Sequence, residues 1–132
     1  MGKILIVEDN ADNMTLTVLL LESEGHVVIR AIDAEAGLTL ARAQLPDLIL
    51  MDIQLPGMDG LEATALLKSD QTTRAIPVLA LTALAMKGDE ERIRAAGCDG
   101  YVCKPIRIHE FLATIVAQLA AAKLPAAPAP QS

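Results

Sequence analysis

Four apolar residues, Leu48–Met51, run directly into an acid, Asp52, and no other feature of the chain restricts its fold as strongly. A short, continuous apolar run is typical of a strand buried on both faces, as in a parallel sheet. In open α/β folds, functional groups collect at the carboxyl ends of such strands. Asp52 therefore predicts a site at that edge of a parallel sheet.

Other apolar runs also end in polar groups: Ile4–Val7 before Glu8 and Asp9, Val78–Leu81 before Thr82, and Tyr101–Cys103 before Lys104 and Pro105. Each polar residue taken alone is common in a turn or on a surface. If the strands lie side by side, however, three carboxylates, a hydroxyl and an ammonium meet in one hollow. That combination suits a divalent cation and a phosphoryl group.

Strands alternate with helices along the chain. Apolar runs predict five strands: Lys3–Val7, Val27–Ala31, Leu48–Met51, Val78–Leu81 (opened by Pro77) and Gly100–Cys103. Helical spacing and end signals predict five helices, over about Asp12–Glu24, Ala34–Gln44, Leu61–Lys68, Gly88–Ala96 and Ile108–Ala122. Five β/α units in this order indicate a parallel sheet with helices on both faces.

Composition excludes several classes of function. The 132 residues fit one domain. A net charge of -6 and only two aromatic residues argue against nucleic-acid binding. No apolar run reaches the length of about 18 residues that crosses a membrane, so we expect a cytoplasmic protein with no membrane partner. Cys98 and Cys103 lack the further ligands of a zinc site, and both are expected to be buried, reduced thiols.

Four segments carry a resemblance to a known family: Ile4–Asn10, Pro46–Gly60, Ala80–Ala83 and Tyr101–Pro105. Together they resemble the receiver domain of bacterial two-component response regulators, over residues 3 to about 122. The resemblance implies a flavodoxin-like (βα)5 doubly wound parallel sheet with strand order 2-1-3-4-5. It implies one receiver domain over residues 1–123, followed by a flexible Pro/Ala-rich tail over residues 124–132.

The resemblance also implies a metal site. Asp52 would accept a phosphoryl group, Asp9 would be a direct ligand of Mg²⁺ (or Mn²⁺ in its place), and Glu8 would act mostly through coordinated water. The backbone carbonyl of Gln54 would be a further ligand. Physical chemistry agrees, because three carboxylates against the one ammonium of Lys104 leave a surplus of two negative charges. A divalent cation cancels that surplus and lets Asp52 stay ionised.

The remaining site residues take their roles from the same resemblance. Thr82 and Lys104 would each hold a phosphoryl oxygen, which is what phosphoryl transfer chiefly asks of a protein. Tyr101 would be an aromatic switch, although a half-buried strand aromatic is the simpler interpretation of that residue. Lys104 and Pro105 are expected to be joined by a cis peptide bond.

As a function, the resemblance implies a single-domain response regulator, phosphorylated by a histidine kinase or histidine phosphotransfer protein. It would be no enzyme beyond assisting its own phosphoryl transfer and dephosphorylation. The kinase would dock near Asn13 and Met14, although the pattern alone assigns Met14 to the core. A downstream protein would bind the face of the Gly88–Ala96 helix, strand five and the last helix. Within the family, Ala83–Ile93 with Gly97–Cys98 resembles a stand-alone cell-cycle regulator of alphaproteobacteria.

Three alternatives stay open. The first is a receiver that is fused to a hybrid histidine kinase, because such receivers have similar sequences. The second is a small phosphatase with Asp52 as its nucleophile, but that class usually has a second acid where Gln54 stands and needs a cap over the substrate. A flavodoxin-like cofactor binder would need a glycine-rich phosphate loop and aromatics around a flavin. A metal-dependent, isolable phosphoryl adduct would separate the signalling function from the phosphatase.

Overall fold

The computed structural model describes residues 2–83, 87–104 and 106–123. The strands are β1 (Lys3–Val7), β2 (Val27–Ala31), β3 (Leu48–Asp52), β4 (Val78–Thr82) and β5 (Gly100–Cys103). The helices are α1 (Ala11–Ser23), α2 (Ala34–Gln44), α3 (Gly60–Ser69), α4 (Lys87–Ala95) and α5 (Ile108–Lys123). The predicted order of elements is confirmed, and every predicted boundary lies within one residue of the observed one.

All five strands form one parallel sheet in the predicted order β2-β1-β3-β4-β5. The register pairs Asp52 with Leu81 on β4, and Thr82 with Cys103 on β5. Val7, the last residue of β1, pairs with Ala31, the last residue of β2, and with Met51, the residue before the last of β3. The carboxyl ends of the neighbouring strands β1, β3, β4 and β5 are therefore level to within one residue, and the polar residues at those ends share one edge.

Side chains alternate between two apolar layers, one on each face of the sheet. Strand β1 shows the pattern, since Leu5 and Val7 enter the layer under α2, α3 and α4, whereas Ile4 and Ile6 enter the layer under α1 and α5. Burying a side chain of this size contributes about 1.5–3 kcal/mol. Strands covered on both faces have no polar face, which explains their continuous apolar sequences.

Capping side chains set where the helices next to the site begin. Asn10 accepts a hydrogen bond from the backbone N–H of Asn13 at 2.9 Å and starts α1 directly after the Glu8-Asp9 loop. Asp59 and Glu62 form a capping box at the start of α3. Such caps satisfy backbone donors that the first turn leaves without partners. They therefore fix the loops that join β1 to α1 and β3 to α3, which adjoin the acids.

The two cysteines and Met14 test the predictions about side-chain burial. Cys98 is buried as predicted, and its thiol lies 3.9 Å from the Thr64 hydroxyl; burial raises its pKa. The prediction that Cys103 is buried is wrong, because it ends the edge strand β5 and is exposed. Met14 is only 8% exposed and packs in the α1/α5 layer, so the core assignment is right and its side chain offers little surface to a docking kinase.

Some predictions fall on residues outside the described ranges. The predicted cis peptide bond involves Pro105 and the predicted flexible tail comprises residues 124–132, so the structure tests neither prediction. Within the part of the chain that the structure does describe, no helix combines the length and apolar character needed to span a membrane.

Candidate functional site

Three acids meet at the carboxyl edge of the sheet. Glu8 and Asp52 are only 2% and 3% exposed, whereas Asp9 is open to solvent. One carboxylate oxygen from each acid lies within 4.8 Å of those of the other two. Carboxylates this close repel one another and lose hydration on burial, so the arrangement favours a compensating cation. Oxygen-only donors with one exposed member suit a hard divalent ion that keeps bound water.

Lys104 bridges the two buried acids. Its Nζ lies 3.1 Å from Oε1 of Glu8 and 2.9 Å from Oδ2 of Asp52. Its backbone N–H donates to the carbonyl of Thr82 at 2.7 Å, which ties the residue after β5 to the end of β4. Burial by itself lowers the pKa of Lys104, but the hydrogen bonds to Asp52 and Glu8 outweigh it and raise the pKa. The side chain is therefore a fixed positive charge at the site.

The carboxyl of Glu8 binds a proton more readily than an ordinary glutamate side chain. Burial, together with the neighbouring Asp52 carboxyl, raises its pKa from 4.5 to about 7. Lys104 and the backbone N–H of Asn10, which donates to Oε2 of Glu8 at 3.2 Å, act in the opposite direction. The carboxyl of Glu8 consequently titrates near neutral pH, and a cation bound there would compete with its proton.

Both oxygens of Asp52 have defined partners. The backbone N–H of Gln54 donates to Oδ1 at 2.8 Å, and Oδ2 accepts from Lys104. The backbone N–H of the next residue, Ile53, donates to the carbonyl of Leu81 at 3.2 Å, so the pairing of β3 with β4 extends past Asp52. The carboxylate is thus held in one orientation. The contact of Gln54 with Asp52 runs through its N–H, and the predicted metal-binding role of its carbonyl stays a prediction.

Thr82 and Tyr101 lie on one face of neighbouring strands. Thr82 is 1% exposed at the end of β4. Tyr101 pairs with Ala80, two residues before Thr82, so all three side chains project to the same face of the sheet. Tyr101 is half-buried and packs against the α2/α3/α4 layer, as the simpler interpretation predicted. Its role as a switch stays a prediction.

Gly60 supports the site, and sequence reasoning missed it. A Cβ at this first residue of α3 would overlap the carbonyl oxygen of Asp52 and lie 2.7 Å from Cα of Ile53. The start of α3 therefore presses directly on the backbone that carries Asp52. The available signal was a glycine placed directly after the N-cap Asp59, where a side chain would ordinarily be tolerated.

Comparison with known proteins defines the class. Residues 4–116 match the model of the response regulator receiver domain, and the chain belongs to this family. It is 53% identical, over 116 residues, to the polar-differentiation response regulator DivK of Brucella ovis. The match covers 88% of this chain and 94% of that protein. The resemblance within the family that Ala83–Ile93 indicated is therefore confirmed.

Solved structures agree with this assignment. The receiver domain of sensor histidine kinase PA1611 from Pseudomonas aeruginosa PAO1 superposes with a TM-score of 0.84 and 35% identity, covering 90% of this chain and 98% of that one. That structure has a magnesium ion coordinated in its active-site cleft. The signal receiver domain of a histidine kinase from Syntrophus aciditrophicus gives a TM-score of 0.87 at 28% identity, covering 98% of both chains. The flavodoxin-like receiver fold is confirmed.

Family membership decides between the classes of function left open by the sequence. A response regulator is a signalling protein, not a metabolic phosphatase or a flavin carrier, and the matched region spans most of the chain. The polar residues at the strand ends all lie within the matched region.

Proposed function

We propose that Asp52 accepts a phosphoryl group from a histidine kinase or a histidine phosphotransfer protein, and that the chain signals through contacts controlled by this modification. One observation carries the proposal. Asp52 is buried and held by Gln54 and Lys104, beside Glu8 and Asp9 at the level edge of a receiver sheet. A single carboxylate oriented in this way, next to an ammonium and two further acids, suits a nucleophile for phosphoryl transfer.

The transfer itself needs little covalent chemistry from the protein. An oxygen of Asp52 forms a bond to phosphorus while the bond from phosphorus to the donor's imidazole nitrogen breaks, and the electron pair of that bond stays on the nitrogen. The charge on the phosphoryl oxygens then requires partners. Lys104 and Thr82 are proposed to supply an ammonium and a hydroxyl from neighbouring strand ends.

A divalent cation completes the proposed site. Glu8, Asp9 and Asp52 would hold Mg²⁺, or Mn²⁺ in its place, with the carbonyl of Gln54 as a further ligand. The residues fit the ion, because carboxylate oxygens are its preferred protein donors and these three lie within reach of one another. Bound there, the cation would supply positive charge against the acids and the phosphoryl oxygens. The magnesium in the Pseudomonas receiver supports this assignment.

Acetyl phosphate provides a direct test of the proposal. We expect the full chain to gain the mass of one phosphoryl group in the presence of Mg²⁺, and no such gain after chelation of the metal. Intact-mass spectrometry measures the adduct, and peptide mapping locates it. An adduct that forms equally well without metal, or rapid turnover of the donor with no isolable adduct, would contradict the proposal.

The affinity for Mg²⁺ is expected to fall below about pH 7, because the ion must displace the proton that Glu8 holds there. The fall approaches tenfold per pH unit for one displaced proton. Without metal, the folded state binds this proton more tightly than the unfolded chain. The resulting stabilisation is complete below pH 4.5 and is lost as the pH rises through about 7.

Titration calorimetry at pH values on both sides of about 7 measures the effect, and Glu8→Gln is its control. The variant has no carboxyl proton to displace, so its weaker affinity should be nearly independent of pH. A wild-type affinity equally flat across that range would refute the role of Glu8.

Output is proposed to follow from movement at Thr82. Attraction of its hydroxyl to the phosphoryl oxygens would open space that Tyr101 enters, and the face of α4, β5 and α5 would change shape for a downstream protein. Such a switch needs only a few kcal/mol of differential stabilisation, up to about 5.5 for a complete swing. Among the described residues of α4, Ile93 is the buried apolar side chain, so little apolar contact holds the helix. A weakly held helix suits a switch with so small an energy difference between its two states.

We further propose that residues 1–123 form the receiver unit.

A further inference from the structure

The side chain of Lys68, near the end of α3, joins three segments at the edge of the sheet opposite the acids. Its ammonium donates to the carbonyls of Ile76 at 2.8 Å and Arg74 at 3.3 Å, both in the loop before β4. It also donates to Oδ2 of Asp99 at 3.0 Å, in the turn between α4 and β5. An ammonium has three N–H donors. Each of them has an acceptor here, so the side chain is held in one position.

Asp99 joins the same corner to the start of β4. Its Oδ2 accepts from the backbone N–H of Val78 at 2.8 Å as well as from Lys68. Its own N–H donates to the carbonyl of Val78 at 2.8 Å. The ion pair with Lys68 is partly open to solvent, and such a pair contributes little by itself. The turn after α4 is therefore held by the whole set of contacts, through both backbone and side chain.

Gly97 allows Lys68 to reach this corner. The φ of Gly97 is 105°, in the left-handed region that favours glycine. A Cβ at this position would lie 2.8 Å from Cγ of Lys68, so the aliphatic part of the lysine crosses directly over the turn. On either side of Gly97, Ile93 and Cys98 are buried in the α2/α3/α4 layer. The carboxyl end of α4 is consequently packed as well as hydrogen-bonded.

The earlier part of α4 is attached less firmly. No side chain of residues 88–92 is buried. The ion pairs of α4 in the described residues both lie within the helix: Arg92 with Asp89 at 3.2 Å, and Arg94 with Glu90 at 3.7 Å. Pairs of this kind stabilise the helix itself but do not attach it to the rest of the domain. The hold on α4 is therefore uneven, and it is concentrated at the carboxyl end.

We propose that Lys68 and Asp99 make this end of α4 a fixed pivot, so that α4 tilts about Gly97 and is not displaced as a whole. Because α4 follows β4, its amino end lies at the same edge of the sheet as Thr82. A tilt therefore produces its largest displacement beside the acids. The tilt rests on the proposed function, since it assumes that the face of α4, β5 and α5 moves on modification. The anchor itself is present in the unmodified chain.

Spin labels at two exposed positions of α4 distinguish a tilt from a displacement of the whole helix. Glu91 and Ala95 lie one turn apart on the same side of the helix. At about 1.5 Å per residue, they are about 9 Å and about 3 Å from Gly97 along the axis. A tilt about Gly97 moves a label at Glu91 about three times as far as a label at Ala95, in proportion to these distances. A displacement of the whole helix moves both labels equally.

Double electron–electron resonance measures the distance from each label to a reference label at Thr39, an exposed residue of α2. The full chain carries Cys103→Ser, so that the other native thiol, Cys98, is buried and stays unlabelled. Beryllofluoride with Mg²⁺ mimics the phosphoryl group. We expect the change in the first distance to be about three times that in the second. Equal changes, or no change at either position in a chain that forms the acetyl phosphate adduct, would overturn the pivot.

Lys68→Met removes the ammonium but keeps a side chain of similar length over Gly97. Without the anchor, the two changes in distance should become nearly equal. Arg42→Met is the matched control, because it removes a cation from another partly exposed ion pair at the end of α3, where Nε of Arg42 lies 3.0 Å from Oδ2 of Asp70. It should preserve the difference between the two labels. The same ratio in both variants would overturn the role of Lys68.

Cys98 tests the anchor without any phosphoryl mimic. Its thiol is buried, so reaction with N-ethylmaleimide requires this corner to open. In the Cys103→Ser chain, loss of the ammonium in Lys68→Met should raise the rate at least about threefold, as followed by intact mass. Asp99→Asn, which keeps an acceptor for the backbone, replaces that variant if it does not fold, and Arg42→Met should leave the rate unchanged.

An unchanged rate after loss of the ammonium would overturn the anchor. The thiol measurement uses neither Mg²⁺ nor a phosphoryl donor. A failure of the anchor is therefore distinguishable from a failure of the proposed function, which the acetyl phosphate adduct reports.

Discussion

Asp52→Asn is expected to abolish the phosphoryl adduct while leaving the fold in place. The neutral amide oxygen of asparagine is a much weaker nucleophile than a carboxylate oxygen, so the bond to phosphorus should not form at this position. The shape of the side chain is preserved. The ion pair with Lys104 is lost, but so is the repulsion between Asp52 and Glu8, and the two changes oppose one another. Intact mass after treatment with acetyl phosphate and Mg²⁺ measures the first effect, and thermal unfolding measures the second.

Asp12→Asn is the matched control for this experiment. It removes the same charge from an exposed position in the first turn of α1. It should form the adduct normally, and both variants should unfold within about 4 °C of the wild type, equivalent to about 1 kcal/mol for a domain of this size. An adduct that survives in Asp52→Asn would place the acceptor elsewhere. Loss of the adduct in both variants would show a non-specific effect of charge.

Lys104 gives the site a defined state before any phosphoryl group arrives. Its ammonium already contacts Glu8 and Asp52, so it neutralises one of the clustered acids in the metal-free protein. The proposed phosphoryl group would have to take over part of this contact. Its attraction for Lys104 would then be offset by the loss of existing bonds, and only the difference would be available for the proposed movement of Tyr101.

Most of the fold could be predicted because its signals are local. Continuous apolar runs mark the strands, and the position of Asp52 directly after such a run places it at the sheet edge. Helix ends follow from residues such as Gly25, Pro46 and Gly97, which stop or redirect the chain. The order of strands does not follow from these signals. It came from the resemblance, and the register then explains why the polar strand ends are level.

What could not be predicted depends on contacts between distant residues. The burial of Cys103 was misjudged because it was predicted from the residue type alone, although the predicted strand order already places β5 at an edge of the sheet. The bridge from Lys104 to Glu8 joins residues 96 positions apart, and no local pattern reveals its length or its partners. Gly60 was overlooked for the same reason, because the backbone that it touches belongs to β3 and not to its own helix.

Gly60→Ala is expected to destabilise the protein and to slow phosphorylation. The added Cβ overlaps the carbonyl oxygen of Asp52 and lies 2.7 Å from Cα of Ile53, and a backbone neighbour cannot rotate away as a side chain can. Overpacking of this kind costs about 3 kcal/mol, and the better helix propensity of alanine offsets at most about 1 kcal/mol. The melting temperature should therefore fall by about 8 °C, at about 4 °C per kcal/mol. Because Asp52 must move, adduct formation should slow at least about tenfold.

Gly88→Ala makes the same chemical change in α4, where a Cβ meets nothing within 4 Å. With no clash to relieve, this variant should be neutral or more stable by up to about 1 kcal/mol. Its adduct should form at the wild-type rate. If Gly60→Ala unfolded at the same temperature as Gly88→Ala, the close approach of α3 to the backbone of Asp52 would not be a constraint on the fold. If it were destabilised but phosphorylated normally, the start of α3 would support the fold without positioning the acceptor.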